Sequence, residues 1–394
     1  MKLLYLSGAP TVSTDEKAQS GGPRAHILGI ISGFKAHGWT VTEFIFGNRF
    51  KDRLKNSPPA IQLSRNFLLR LASDLFRVFI GLVNQRKVAS SFPGFNLCYE
   101  RFAAFQALGA GLKKRLGTPW ILETNGIYFL EAKKDRRSIV MSSLCRKLEE
   151  KAYQECDYLV LISEDLRNLV LHHFRVSPDK ILVIPNGVDT ERFKPAAGPP
   201  AKGTNAFTIG FVGGLIDWCG LGGLFEAVAL LKKDLPVPVN LVVAGDGISK
   251  DRFISKCKQL GLENSVAFLG NRPWDEIPEL IESFDVCFSG QVETHSGKMY
   301  HSPLKIYEYL AMGKPVIASN FQDAKATIVP GFNGHLFEPG NTSQILDCLR
   351  KTYGQLTKGG FNSAAIRKQI VENHSWEARV RFLMEKISPK GASL

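Results

Sequence analysis

The sequence predicts an α/β protein built from two doubly wound parallel sheets. Short apolar runs of strand length alternate with stretches of helical period in both halves of the chain. Between the halves lies Pro195-Ala196-Ala197-Gly198-Pro199-Pro200-Ala201-Lys202-Gly203-Thr204-Asn205, where no apolar periodicity survives. A chain of 394 residues is also long for one hydrophobic core. The expected domains are residues 1–195 and 205–375, followed by a final helix from Trp376 within residues 376–394.

In the first half, residues 2–6 read as a buried strand rather than a signal peptide, since the apolar run is short and Pro10 soon follows. Gly21-Gly22-Pro23 then opens a helix with Ile27, Leu28, Ile31 and Phe34 at helical spacing, which Gly38 ends. His26 on this helix reads as packing, not as a ligand. Residues 39–46 alternate as a second strand. Residues 66–83 form a helix whose polar Arg70, Asp74 and Arg77 fall at i, i+4, i+7, one narrow stripe on an otherwise apolar rod. Three charges rule against a membrane span. The expectation is a core helix covering the sheet. The alternative is insertion into a lipid interface, with Arg65, Arg86 and Lys87 near phosphates.

Residues 97–100 and 120–123 read as further strands, with a helix around 103–116 between them. Glu123-Thr124-Asn125-Gly126 follows a strand end, where open α/β sheets place ligands, although Asn-Gly is also a good turn. A helix over 144–153, a strand over 158–162, a helix capped by Ser163 and a strand over 181–184 complete this half. The second half repeats the alternation: strand 207–212, helix 221–232, strand 239–244, helix from Ser249, strand 266–269 and strand 286–289.

The stretch Ser302-Pro303-Leu304-Lys305-Ile306-Tyr307-Glu308-Tyr309-Leu310-Ala311-Met312-Gly313-Lys314-Pro315 then reads as one short helix feeding a buried strand at 316–318. Ser302 is the expected N-cap, Pro303 the first helical residue and Gly313 the left-handed stop. Glu308 lies one turn into this apolar helix, and a carboxylate there needs a partner. The free N–H groups of Leu304 and Lys305, the helix dipole and the Lys305 ammonium make an anion site. A diphosphate held there leaves an attached ribose about 5 Å along the helix, near Glu308. That arrangement is a nucleotide-diphosphate site; the plain alternative is a core helix with Glu308 paired to a neighbouring Lys or Arg.

The stretch 302–319 resembles the donor-binding motif of retaining GT-B glycosyltransferases of the group 1, family-four type, which often read S-P-L-K-x-x-E-Y-x-A-x-G-K-P-V-x-A. Three further matches follow the family order: Ile184-Pro185-Asn186-Gly187-Val188-Asp189 with Phe193-Lys194-Pro195, then Phe211-Val212-Gly213-Gly214, then Val243-Ala244-Gly245-Asp246-Gly247. The resemblance spans nearly the whole chain. It implies a GT-B fold, two Rossmann-like domains facing a central cleft, with the acceptor on residues 1–195, the nucleotide sugar on 205–375 and the last helix crossing back. It also implies roles: Glu308 on the ribose, Leu304 and Lys305 on the diphosphate, Gly213 and Gly214 near the phosphates, Arg272 at the base, and Gly22 and Asn125 facing the sugar. Glu308, Lys305 and Asn125 are the candidate catalytic residues. No D-x-D pair suggests a metal, and no cofactor is expected beyond the donor substrate.

The match fails at named places. Relatives supply an Arg and a Lys from a G-R-L-x-x-x-K-G pattern, whereas this chain has Gly214 and Cys219 there. A second carboxylate seven residues before Glu308 is replaced by Tyr300. Lys298, Lys305 and Arg272 are the cations that could compensate. The alternative is a catalytically degenerate accessory protein binding membrane or a partner enzyme. An epimerase on the same architecture fits the motifs poorly.

Composition sets further bounds. The formal net charge is +13, and residues 51–137 alone hold 16 Lys and Arg against 6 Asp and Glu. Such asymmetry implies an anionic partner. No nucleic-acid motif accompanies it, so an anionic membrane surface or a saccharide or lipid-linked acceptor bearing a diphosphate fits better. Seven scattered cysteines without a C-x-x-C pair indicate neither a zinc site nor a disulfide framework and suit a reducing cytoplasm. The expected location is therefore cytoplasmic, with the inner membrane face as an alternative.

Overall fold

The computed structural model describes residues 1–15, 21–50, 67–134, 138–196, 206–293 and 299–387. Lys298, the linker core and the residues before Phe67, including Arg65, lie outside these. The chain divides into two compact units: Met1–Asn186 with His295–His301 and Trp376–Leu394, and Gly187–Thr294 with Ser302–Ser375. Residues 187–194 therefore pack with the second unit, ahead of the linker. The reason is local: the Val188 N–H donates to His374, and the Arg367 guanidinium donates to the carbonyls of Thr190 and Phe193.

The first unit holds six parallel strands: β1 (Lys2–Ser7), β2 (Thr40–Ile45), β3 (Leu97–Arg101), β4 (Trp120–Thr124), β5 (Tyr158–Leu161) and β6 (Ile181–Val183). Their order is β2-β1-β3-β4-β5-β6, so the chain reverses its direction of travel at β1/β3. β2 is the edge strand and buries only its last two residues. The second unit holds β7 (Phe207–Val212), β8 (Val239–Ala244), β9 (Val266–Gly270), β10 (Val286–Ser289), β11 (Val316–Ser319) and β12 (Gly334–Phe337), in the order β12-β11-β10-β7-β8-β9. Its reversal falls at β7/β10. Apart from the edge strands β2 and β12, these strands are mostly brief apolar runs without alternation, as expected where helices cover both faces of a parallel sheet. Two doubly wound sheets result, as the sequence predicts.

Three local expectations are corrected. The helix expected around 103–116 is only Gly109–Leu116. The buried Glu100 carboxylate accepts the N–H groups of Leu108 and Gly109 at 2.7 and 2.8 Å and so fixes the later start. Burial raises this carboxyl to about 7. His26 is buried edge-on against Trp376, 5.0 Å between ring centres, but it also enters a charge cluster. Its Nε2 lies 2.8 Å from Glu123 and its Nδ1 3.0 Å from the Arg101 guanidinium, so packing is only part of its role.

The third correction is the helix Phe67–Ser91, which turns its polar stripe inward. Asp74 is fully buried and accepts the N–H groups of Val140 and Met141 at 2.7 and 2.9 Å, with Arg77 at 3.3 Å. The apolar face expected to cover the sheet is the exposed one. The bonds from Val140 and Met141 to Asp74 hold the polar stripe inward, because leaving these backbone donors unpaired on burial is costly.

Candidate functional site

The second unit builds its site at the carboxyl ends of β7 and β10, the reversal point of the sheet. β7 ends at Val212 and passes into Gly213-Gly214. Gly213 adopts φ +143°, and a Cβ on it would meet the Lys305 Nζ at 2.6 Å. Gly245, after β8, adopts φ +140°, and a Cβ there would lie 2.0 Å from the Gly213 carbonyl. Both positions require glycine if the loop is to pass and the lysine is to lie against its backbone.

The helix Leu304–Ala311 supplies the other wall. Its start differs from the expected one: Pro303 occupies the cap position in an extended conformation, the first helical residue is Leu304, and no side chain caps it. Pro303 still accepts the Ile306 N–H at 3.1 Å. Among the described residues the N–H groups of Leu304 and Lys305 make no hydrogen bond, so the helix start is open to an acceptor. The stop is as expected. Gly313 takes φ +70°, and the Gly313 and Lys314 N–H groups return to Leu310 and Tyr309. The Tyr309 hydroxyl accepts the Val212 N–H at 2.7 Å and ties the helix to the end of β7. On the far side the Tyr307 hydroxyl donates to Asp323.

This frame brings together Gly213, Lys305 and Glu308. The Lys305 Nζ sits 3.9 Å over the centre of the Phe211 ring, and burial lowers its pKa to about 8. Glu308 is half-buried, and burial raises its carboxyl to about 7 against the opposing pull of Lys305. Among the described residues the Glu308 side chain makes no hydrogen bond and no ion pair within 4.0 Å.

The remaining expected residues are placed as follows. Gly214 is exposed, and a Cβ there would meet nothing within 4 Å. Cys219, at the position of the missing lysine, is buried in the hydrophobic core. Arg272 is exposed just beyond β9 and lies 3.7 Å from Glu276. In the first unit, Gly22 is exposed in the first turn of the helix Gly21–Ala36. Asn125 follows β4, and its Oδ1 is buried without a hydrogen-bond partner.

Sequence reading missed Glu131. It lies in the unexpected helix Tyr128–Lys134 against Gly126, where a Cβ would come within 1.8 Å of its Oε1. The Tyr300 hydroxyl donates to it at 2.5 Å, so the tyrosine replacing the family carboxylate is engaged by another carboxylate from a distant segment. Nothing in the local sequence of either residue marks the pair. A cavity of about 210 Å³ lined by Gly220, Gly223, Glu226, Arg252 and Thr342 touches neither Lys305 nor Glu308. Among the described residues no group of three or more His, Cys, Asp or Glu could hold a metal.

Comparison with known proteins bears on the family and the fold. Residues 20–192 match the family model for Glycosyltransferase Family 4, and residues 196–353 that for Glycosyl transferases group 1. The two matches, one to each half of the chain, support a glycosyltransferase of the GT-B, family-four type. An uncharacterized glycosyltransferase of Methanocaldococcus jannaschii is 25% identical over 241 residues, 58% of this chain and 57% of the relative. The Escherichia coli UDP-Gal:alpha-D-GlcNAc-diphosphoundecaprenol alpha-1,3-galactosyltransferase is 26% identical over 256 residues, 61% of this chain and 62% of that enzyme. The chain thus spans little more than half the length of these curated relatives. Among solved structures, Anabaena HepE in complex with UDP and glucose superimposes with a TM-score of 0.69 at 19% identity, covering 98% of this chain and 99% of that one. That likeness shows the GT-B fold.

Proposed function

We propose that this protein is a retaining glycosyltransferase that takes a nucleotide-diphosphate sugar and passes the sugar to a saccharide or lipid-linked acceptor of the cell envelope. The observation that carries the reading is Glu308, a half-buried carboxylate without a hydrogen-bond partner, one turn from an open helix start. Its two oxygens would accept the vicinal hydroxyls of a ribose. The N–H groups of Leu304 and Lys305, the helix dipole and the Lys305 ammonium would hold the diphosphate and stabilise the charge that grows on it as the glycosidic bond breaks. Gly213 lets the lysine lie against backbone at that point, which offsets the cations absent at Gly214 and Cys219. Asn125, with its orphaned buried oxygen, and Gly22 would serve the sugar, and Arg272 the base. The names of the E. coli enzyme and of the Anabaena complex support a nucleotide sugar as donor and a lipid-linked acceptor. No observation favours the accessory-protein alternative.

Incubation with UDP-, GDP- and ADP-sugars tests the reading. One donor should release its nucleoside diphosphate slowly without acceptor, and the freed sugar should first appear with the anomeric configuration of the donor. Release from none of them, or an inverted anomer, contradicts it.

Two expected outcomes follow from the site. Glu308 accepts two hydroxyls only when ionised, so donor affinity should fall as pH drops below about 7. Lys305 attracts the diphosphate only when protonated, so affinity should fall as pH rises above about 8. Titration of donor binding against pH should therefore peak between those values, and Glu308→Gln should remove the acid limb alone. A Cβ added at Gly214 would meet nothing within 4 Å, which makes Gly214→Arg a suitable substitution. It should fold normally and tighten donor binding by about threefold to tenfold, the range of one exposed charge-assisted contact.

A further inference from the structure

The helix Phe67–Ser91 carries an exposed apolar face that its fold does not use. Leu75, Phe76, Phe79, Leu82 and Val83 are 52, 51, 63, 53 and 40% exposed. Leu75, Phe79 and Leu82 fall at i, i+4 and i+7, and Phe76 and Val83 each flank that row by one position, so the five form one continuous stripe. The orientation is fixed from behind. Asp74 holds Val140 and Met141, Gln85 donates to the Ala107 carbonyl at 3.0 Å, and Gly81 lies against Phe105 and Gln106. The helix cannot roll its apolar face inward without breaking these bonds. A stripe of five large apolar side chains on one helix exceeds the scattered exposure usual for a surface.

We propose that this face docks onto an anionic lipid surface. Charge selects the occupant. Arg86 and Lys87 are exposed where the apolar stripe ends, and Lys114 and Arg115 are exposed on the helix Gly109–Leu116 that packs against it. The surrounding sequence from 51 to 137 carries 16 basic residues against 6 acidic ones. A second copy of the chain would bring the same positive excess to the same face, and the like charges would oppose pairing. Anionic headgroups supply the opposite charge, and the acyl boundary accepts leucine and phenylalanine. No described helix is long and apolar enough to cross a membrane, so the contact is interfacial. The proposal goes beyond the donor site and stands independently of it.

The test is sedimentation of the full chain with vesicles of phosphatidylcholine alone and of equal parts phosphatidylcholine and phosphatidylglycerol. Wild type should pellet with the anionic vesicles, and less so as salt rises. The double variant Leu75→Glu/Phe79→Glu should bind them at least about tenfold more weakly, with its melting temperature unchanged. Arg86→Glu/Lys87→Glu provides a second arm: it should lose the preference for phosphatidylglycerol. Wild type that stays in the supernatant, or variants that bind as wild type does, overturn the proposal. So does a solution dimer that Phe79→Glu dissociates, since a second copy would then be the occupant.

Discussion

Glu308→Ala should weaken donor binding by about a hundredfold, equivalent to about 3 kcal/mol, while leaving the fold intact. The magnitude follows from the loss of two charge-assisted hydrogen bonds to ribose hydroxyls in a site partly shielded from water. The fold should survive because the Glu308 side chain makes no hydrogen bond among the described residues. Removing a half-buried carboxylate that lacks a protein partner relieves desolvation instead of orphaning a neighbour. The variant should melt at or above the wild-type temperature in the absence of ligand. Isothermal titration with the cognate nucleotide and a ligand-free melt check both halves of the statement. Lys305→Ala distinguishes the two ends of the donor: it should weaken the diphosphate-bearing nucleotide but not a nucleoside without phosphate. Unchanged diphosphate affinity in that variant would remove Lys305 from the assignment.

Asp74→Ala should have the largest effect on stability, about 3 kcal/mol. The substitution leaves the Val140 and Met141 N–H groups and the Arg77 guanidinium facing a void inside the first unit. Asp74→Asn keeps one acceptor oxygen and should recover part of the loss. Urea unfolding monitored by tryptophan fluorescence measures both. If Asp74→Ala unfolds at the wild-type urea concentration, Asp74 does not hold the helix, and the exposed apolar face would need another explanation.

The contrast between these two residues shows what a sequence makes legible. The strands β1 to β11 were readable because most are apolar runs bounded by turn residues, as at residues 239–244, which form β8 end to end, whereas β12, Gly-His-Leu-Phe, carries no such run and was not expected. The donor helix was readable because Gly313, Pro315 and the apolar spacing act within a few residues of one another. Glu308 stood out as a polar residue in an apolar setting. The helix at Phe67–Ser91 was equally visible as a helix, yet periodicity gives two faces and does not say which is buried. Asp74 decides that question through amides 66 and 67 residues further on, beyond the reach of a local pattern. The late start of the helix Gly109–Leu116 has the same origin, a cap supplied by a carboxylate on β3 rather than by its own first residue. Tyr300 and Glu131 meet across 169 residues, so the sequence showed the lost carboxylate and not what engages its replacement.

The most direct measurement is a thermal-shift panel of UDP, GDP and ADP and their sugars on wild type and on Glu308→Ala. Stabilisation of wild type by one nucleotide, growing with its concentration as mass action requires and absent in the variant, is the predicted result. Equal stabilisation of both proteins, or none with any nucleotide, would contradict a donor site at Glu308.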